Sequence, residues 1–318
     1  MSEPHADHDL RDYTGNDLYA ALGVLKEAMP ADPITVGRFA RQVLLDPNFK
    51  PEGAPVARVG GEVVGFCLSL ARQVPLENAP PDADRGYITL LGVRPDHQRR
   101  GVGAALLARA ENYLSVQGRT TVMISSYAPG YFIPGVDVNA YAGALSFLKK
   151  HGYTEVYRPL AMETSLWDLR EPAWVTERRR QLLASGTVVT GFSPALAPDL
   201  LDFARREFPG DWVRVIRETA SRIAAGDSAR RLLIAVDNGT VVGFSHYENE
   251  RFGPIGVAAT QRGRGVGQVL MYETLAAQRA AGFRCAWFLW SDDKTAERIY
   301  TAAGFKETRR FALMKKTL

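Results

Sequence analysis

Two six-residue segments carry the residue types and spacing of an anion site: Gln98-Arg99-Arg100-Gly101-Val102-Gly103 and Arg262-Gly263-Arg264-Gly265-Val266-Gly267. Each follows an apolar, strand-like run and opens an apolar helical pattern. Glycine at these positions lets the chain turn tightly and lets backbone N–H groups come close to a ligand. The start of the helix adds unpaired donors and the positive end of its dipole. A pyrophosphate suits such a cradle. A Walker loop is excluded, because no Lys-Ser or Lys-Thr follows the glycines. A dinucleotide fingerprint is excluded too, because Leu106 stands where its third glycine belongs.

The two segments belong to a repeat that organises the chain. Gly61–Phe66 (GEVVGF) returns as Gly239–Phe244 (GTVVGF), Gly92-Val93 as Gly256-Val257, and Gly118 as Gly282. His151-Gly152-Tyr153 is echoed by Ala303-Gly304-Phe305. The first copy is longer between Phe66 and Val93 and between Gly118 and Gly152, as loop insertions would be. Each copy reads as an α+β unit. A strand (Asp9–Thr14; Thr187–Phe192) precedes two helices (Asn16–Met29 and Thr35–Leu45; Ala197–Phe208 and Trp212–Ala225). A hairpin follows, turning at Asn238-Gly239 in the second copy. Then come a strand, the glycine loop with its helix, a further strand (Thr121–Ser126; Cys285–Trp290), and a last helix and strand. The expected fold is a mixed α/β sheet of α+β class in each of two tandem domains. The boundaries are 1–170 and 187–318, with a charged linker helix over 171–186.

Composition fits this reading. A chain of 318 residues suits two domains of ~150 residues each. Hydrophobic residues at 46% and charged residues at 23% are ordinary for a globular protein. No apolar run reaches membrane-spanning length, and the polar, acidic start (MSEPHADHDLRDY) reads as a loose tail rather than a secretory signal. Cys67 and Cys285 lie in apolar runs and are expected as reduced, buried thiols of a cytoplasmic protein. A net charge of +4 suits an anionic ligand, and no basic arm points to nucleic acid. No His, Cys, Asp and Glu grouping has metal-ligand spacing, so no metal is expected.

On these loops and their repetition the sequence resembles the GNAT superfamily of N-acetyltransferases, twice over. The resemblance implies a mixed sheet splayed at its centre, with acetyl-CoA in the splay. Its pyrophosphate would lie on Gln98 to Gly103 and on Arg262 to Gly267. Backbone groups near Val93 and Val257 would hold the pantetheine and polarise the thioester, and the acyl group would pass directly to an amine. It also implies a tyrosine on the last helix as proton donor to the thiolate. That residue is Tyr300, four before Gly304; in the first copy Leu148 stands there and cannot donate. The second domain is therefore the expected catalytic one. Glu248 and Glu250, beside His246, are the candidate bases. The insertion Tyr127–Asp137 could wall an acceptor pocket, with Tyr127, Tyr131 and Asp137 as its polar points.

The expected activity is acyl transfer to the primary amine of a small polar molecule, by a monomer or homodimer with no nucleic-acid or membrane partner. Tandem members of the family act on amino sugars and on a cysteinyl thiol precursor. The competing readings are a non-catalytic acyl-CoA sensor and an aminoacyl transferase of the same fold.

Overall fold

The computed structural model describes residues 8–318. The expected loose tail lies outside the described residues through position 7. The chain forms two compact units: one of residues through Pro75, Pro81–Pro159 and Arg310–Leu318, the other of Leu76–Pro80 and Leu160–Arg309.

In the first unit, β1 (Asp9–Arg11) leads to a turn fixed by Asp17, whose carboxylate accepts from the Thr14 backbone and hydroxyl at 2.8 and 2.7 Å. Helix α1 (Leu18–Ala28) buries Ala21, Val24 and Leu25, one helical face against the sheet. The short α2 (Val36–Phe39), capped by Thr35, continues as a wider coil over Ala40–Leu44. Strands β2 (Val56–Val59), β3 (Glu62–Ala71) and β4 (Arg85–Val93) run antiparallel. Helix α3 (Val102–Val116) then crosses over to β5 (Thr121–Ile124), parallel to β4. Val102, Leu106, Leu107, Ala110 and Leu114 give α3 its buried stripe. Beyond β5 lie β6 (Val136–Asp137), α4 (Ala142–Lys150) and β7 (Thr154–Tyr157).

The second unit opens with β8 (Leu160–Ser165), α5 (Ala173–Ala184) and β9 (Thr187–Gly191). Two strongly amphipathic helices follow, α6 (Ala197–Glu207) and α7 (Asp211–Ala224). The antiparallel meander β10 (Arg230–Asp237), β11 (Thr240–Glu248) and β12 (Arg251–Val257) turns at Asn238 and Gly239, both with positive φ, as the Asn-Gly pair requires. Helix α8 (Val266–Ala280), β13 (Cys285–Ser291) and the short α9 (Asp293–Thr295), which runs on as a coil over Ala296–Tyr300, complete the repeat. Most elements fall within a residue or two of their predicted ranges.

The terminal strands depart from simple tandem order. The last strand, β14 (Lys306–Thr317), gives its end to the first unit, where Met314 to Thr317 pair antiparallel with Ile124 to Thr121 of β5. In the second unit, β8 takes the corresponding place, pairing antiparallel with β13 from Cys285↔Ser165 onward. The first unit holds its late-encoded strand tightly. Lys316 Nζ binds both oxygens of Glu111 on α3 at 2.9 and 2.8 Å, and Tyr153 donates to the same carboxylate at 2.9 Å.

Candidate functional site

Each unit contains a sheet that opens. In the first, β4 and β5 pair from Arg85↔Thr121 to Ile88↔Ile124, and Ser125 N–H bonds the Ile88 carbonyl at 2.7 Å. There the strands part. Ser125 and Ser126, at φ of 59° and 51°, turn the chain away while β4 continues to Val93. In the second, β12 and β13 pair at Arg251↔Trp287, with Trp287 N–H on the Glu250 carbonyl at 3.0 Å, and β12 continues to Val257. Both openings point toward the glycine loops, as the splayed sheet requires. A β-bulge marks each opening. Against β3 the register slips so that Thr89 has no partner on the facing strand; against β11 it slips around His246.

The two loops share a backbone. Gly101 and Gly265 both sit at the helix N-cap in the left-handed region, φ 85° and 88°, which a side chain would strain. Val102 and Val266 bury the first turn of each helix. Gly103 and Gly267 pack on Val93 and Val257, the last residues of β4 and β12. Around this shared frame the polar groups differ. In the first loop Gln98 donates to the Val93 carbonyl at 3.0 Å, while Arg99, Arg100 and Gly101 are exposed. Neither arginine has a hydrogen-bond or ion-pair partner among the described residues. In the second loop Arg262 and Gly263 are exposed, but Arg264 is committed: it reaches Asp237 at 3.1 Å, Ser185 at 3.0 Å and Thr187 at 3.2 Å. Thr187 donates to the same Asp237, and these contacts hold that carboxyl below its usual range. Above Gly265 lies Arg178 of α5. A Cβ added at Gly265 would stand 2.7 Å from its Cγ and Cδ.

The candidate catalytic residues are spread out. Tyr300 is buried among Phe252, Phe288 and Phe305, with Phe288 4.5 Å away centroid to centroid, and its hydroxyl bonds nothing among the described residues. Burial, then the charge of Asp292, pushes its hydroxyl up to about 12, so it is protonated at neutral pH. Glu248 and Glu250 sit at the closed end of the second opening. Glu248 is ion-paired with Arg230. Glu250 lies against the Cys285 thiol, which burial and that carboxylate push up to about 11. His246 is buried; with its Nδ1–H donating to the Gly253 carbonyl (2.9 Å), Nε2 accepts from Thr219 (3.1 Å). Desolvation lowers its pKa to about 4, so it is neutral at pH 7.

The insertion of the first unit is held in place by buried polar contacts. The Tyr127 hydroxyl donates to Asp46 at 2.9 Å and accepts from Asn48 at 2.7 Å, under the Arg72 guanidinium, and its side chain is fully buried. Asp137 is buried and caps the approach to α4, accepting from Asn139 and Ala140 N–H at 2.9 Å each. Tyr131 is partly buried, with its backbone tied to Tyr127 and Gln42. The reason is local: a Pro- and Gly-rich segment leaving a sheet must satisfy its own backbone, and these polar side chains do so. Sequence reading missed Thr89, Arg178, and the Tyr141 hydroxyl on Asp32 at 2.6 Å. Only the bulge and the packing around them single them out.

Both cysteines are free. Among the described residues no group of three or more His, Cys, Asp or Glu could hold a metal ion, and no helix is long and apolar enough to cross a membrane.

Comparison with known proteins adds independent support. The model of the acetyltransferase (GNAT) family matches residues 24–153, and that of an acetyltransferase (GNAT) domain matches residues 228–307. No curated protein sequence matches the chain. Among solved structures, a glucosamine N-acetyltransferase region of a fungal multi-domain β-N-acetylglucosaminidase aligns over 98% of this chain, at 21% identity and TM-score 0.81. The match spans 38% of the fungal chain. An N-acetyltransferase from Sphaerobacter thermophilus aligns over 98% of this chain and 95% of its own, at 18% identity and TM-score 0.71. A tandem GNAT protein from the clavulanic acid biosynthesis pathway aligns over 98% of both chains, at 18% identity and TM-score 0.63. At these identities the likeness is one of fold. With two family models falling on the two repeats, and a splayed sheet and glycine loop in each, the chain belongs to the GNAT acetyltransferases as a tandem, two-domain member.

Proposed function

We propose that the protein transfers an acetyl group from acetyl-CoA to the primary amine of a small polar molecule, and that the first unit holds the acyl-CoA. The observation that carries the choice of unit is the contrast at the loops. Arg99, Arg100 and Gly101 are exposed at the N-terminus of α3, whereas Gly265 lies under Arg178 and Arg264 is spent on Asp237. The residues of the first loop fit a pyrophosphate: a left-handed glycine, the unpaired N–H groups of a helix start and two uncommitted guanidinium groups. Acetyl-CoA, when bound, supplies the activated carbonyl. The chain's part is to fix it along the opened edge of β4 and to exclude water from it. In the transfer the amine nitrogen bonds the carbonyl carbon as the carbon–sulfur bond breaks, the nitrogen loses a proton and the sulfur gains one.

An amino sugar is the first acceptor to try, because the fungal region with the highest TM-score of the three compared is described as a glucosamine N-acetyltransferase. The second reading places catalysis in the second unit, favoured by Tyr300, which is buried, protonated and free to donate. Thiol release from acetyl-CoA with glucosamine as acceptor, measured for wild type, Gly101→Glu and Gly265→Glu, tests both. Loss with Gly101→Glu alone supports the first unit. Loss with Gly265→Glu alone moves the chemistry to the second. Failure of wild type to bind acetyl-CoA overturns both.

A further inference from the structure

Thr89 has a hydroxyl that the protein does not use. It is 5% exposed, and its Oγ1 has no hydrogen-bond partner. A buried hydroxyl left unpaired is destabilising, so its presence in a fold calls for an explanation. Its place is informative. Thr89 is the extra residue of the β4 bulge, between Ile88, paired with Ser69, and Leu90, paired with Leu68. It is also the first residue past the last β4–β5 pair, Ile88↔Ile124, and so stands where the two strands separate. Ile88 packs in the α3 cluster. Leu91, three residues on, packs against the same cluster, so the alternation of faces is interrupted at the bulge. Beside it, Gly92 looks at Val24, Leu25 and Ala28 of α1.

We propose that the Thr89 hydroxyl is a catalytic hydrogen-bond donor of the first unit, directed at the acyl carbonyl oxygen as negative charge develops on it. The proposal rests on the reading that this unit binds acetyl-CoA. The donor is held by strand backbone and needs no reorganisation, and it lies in a buried setting where a hydrogen bond to a developing charge is strong. The proton stays on Thr89. The hydroxyl adds no step to the transfer and lowers the barrier of the one already described.

Acetyl-CoA and CoA are the probes, with calorimetric titration of the full chain, and glucosamine serves as acceptor for turnover. Thr89→Val keeps the shape and removes the hydroxyl; Thr89→Ser keeps the hydroxyl. Thr89→Val is expected to bind CoA as wild type does, to lose about fivefold in its preference for acetyl-CoA over CoA, and to fall about 100-fold in turnover. Its melting temperature should equal or exceed that of wild type, because an unpaired polar group has gone. Thr89→Ser should keep most of both functions. If Thr89→Val lowers the melting temperature instead, Thr89→Ala serves in its place against the same serine control. Wild-type preference and turnover in Thr89→Val, or equal loss in valine and serine variants, overturns the proposal. Gly101→Glu separates the two levels. If that variant still binds acetyl-CoA with wild-type affinity, the assignment of the first unit has failed. If it does not bind and Thr89→Val is silent, Thr89 alone has.

Discussion

Gly101 and Gly265 begin helices of equal length with nearly the same φ, yet their neighbours give them different work. Gly101 lies exposed beside two uncommitted arginines, and Gly265 lies beneath the aliphatic stem of Arg178. The same contrast runs through the rest of each site. The first unit leaves a buried hydroxyl unpaired at its bulge on β4; in the second the bulge lies on β12 at Gly253 and Pro254, and His246 of the facing strand β11 spans it, bonded at both ring nitrogens. The second unit keeps Tyr300 where the first has buried Leu148. Repetition thus preserved the backbone of a ligand loop in both units while the side chains around it diverged, and a motif match alone reports only the backbone.

The largest expected effect falls on Gly101. A glutamate there strains a left-handed position and sets a carboxylate where an anion should bind, so acetyl-CoA affinity should drop at least 100-fold by calorimetry. Gly265→Glu should leave that binding within about twofold but lower the melting temperature, since its Cβ meets Arg178. Equal loss of binding in both variants would erase the distinction between the loops.

Acid should act on the second unit. His246 is neutral in the fold with a pKa near 4, against 6.5 when unfolded. Between those values the unfolded chain binds the extra proton, so stability is whole above pH 6.5 and declines toward pH 4, by roughly 3 kcal/mol from this group. Thermal melts across that range should show the decline in wild type and a shallower one in His246→Gln.

A smaller change is expected at α5. Arg178→Ala uncovers Gly265, and titration should then reveal a second, weaker acetyl-CoA site beside the one of wild type. An unchanged stoichiometry would mean that Arg264, held by Asp237, closes the loop by itself. Least of all, Tyr300→Phe should alter turnover by less than about twofold. A fall of 100-fold would transfer the chemistry to the second unit.

Much of the fold was legible because its signals are local. Apolar periodicity, the Asn238-Gly239 turn and the paired glycine loops each lie within a few residues, and the repeat reinforced them. The site was less so. Arg178 meets Gly265 across a long stretch of chain, and nothing in RRRQLL says which arginine will lie on a glycine. Tyr127 and Asp137 have the composition of a binding loop, but the same residue types serve to bury irregular backbone, and only packing tells the two apart. Thr89 is invisible for another reason: a bulge is a mismatch between two strands, and no single strand encodes it. The exchanged terminal strands escape for the same cause, since the alternation that marks β14 does not name its neighbour.

That exchange sets the order in which the protein can be finished during synthesis. The first unit is built almost wholly from the early part of the chain, but the strand beside β5 comes from residues 310–318. Until the ribosome has made them, one edge of β5 lacks its partner and Glu111 lacks Lys316. A nascent first unit therefore waits, with an open sheet edge of the kind that recruits other strands, through the translation of the whole second unit.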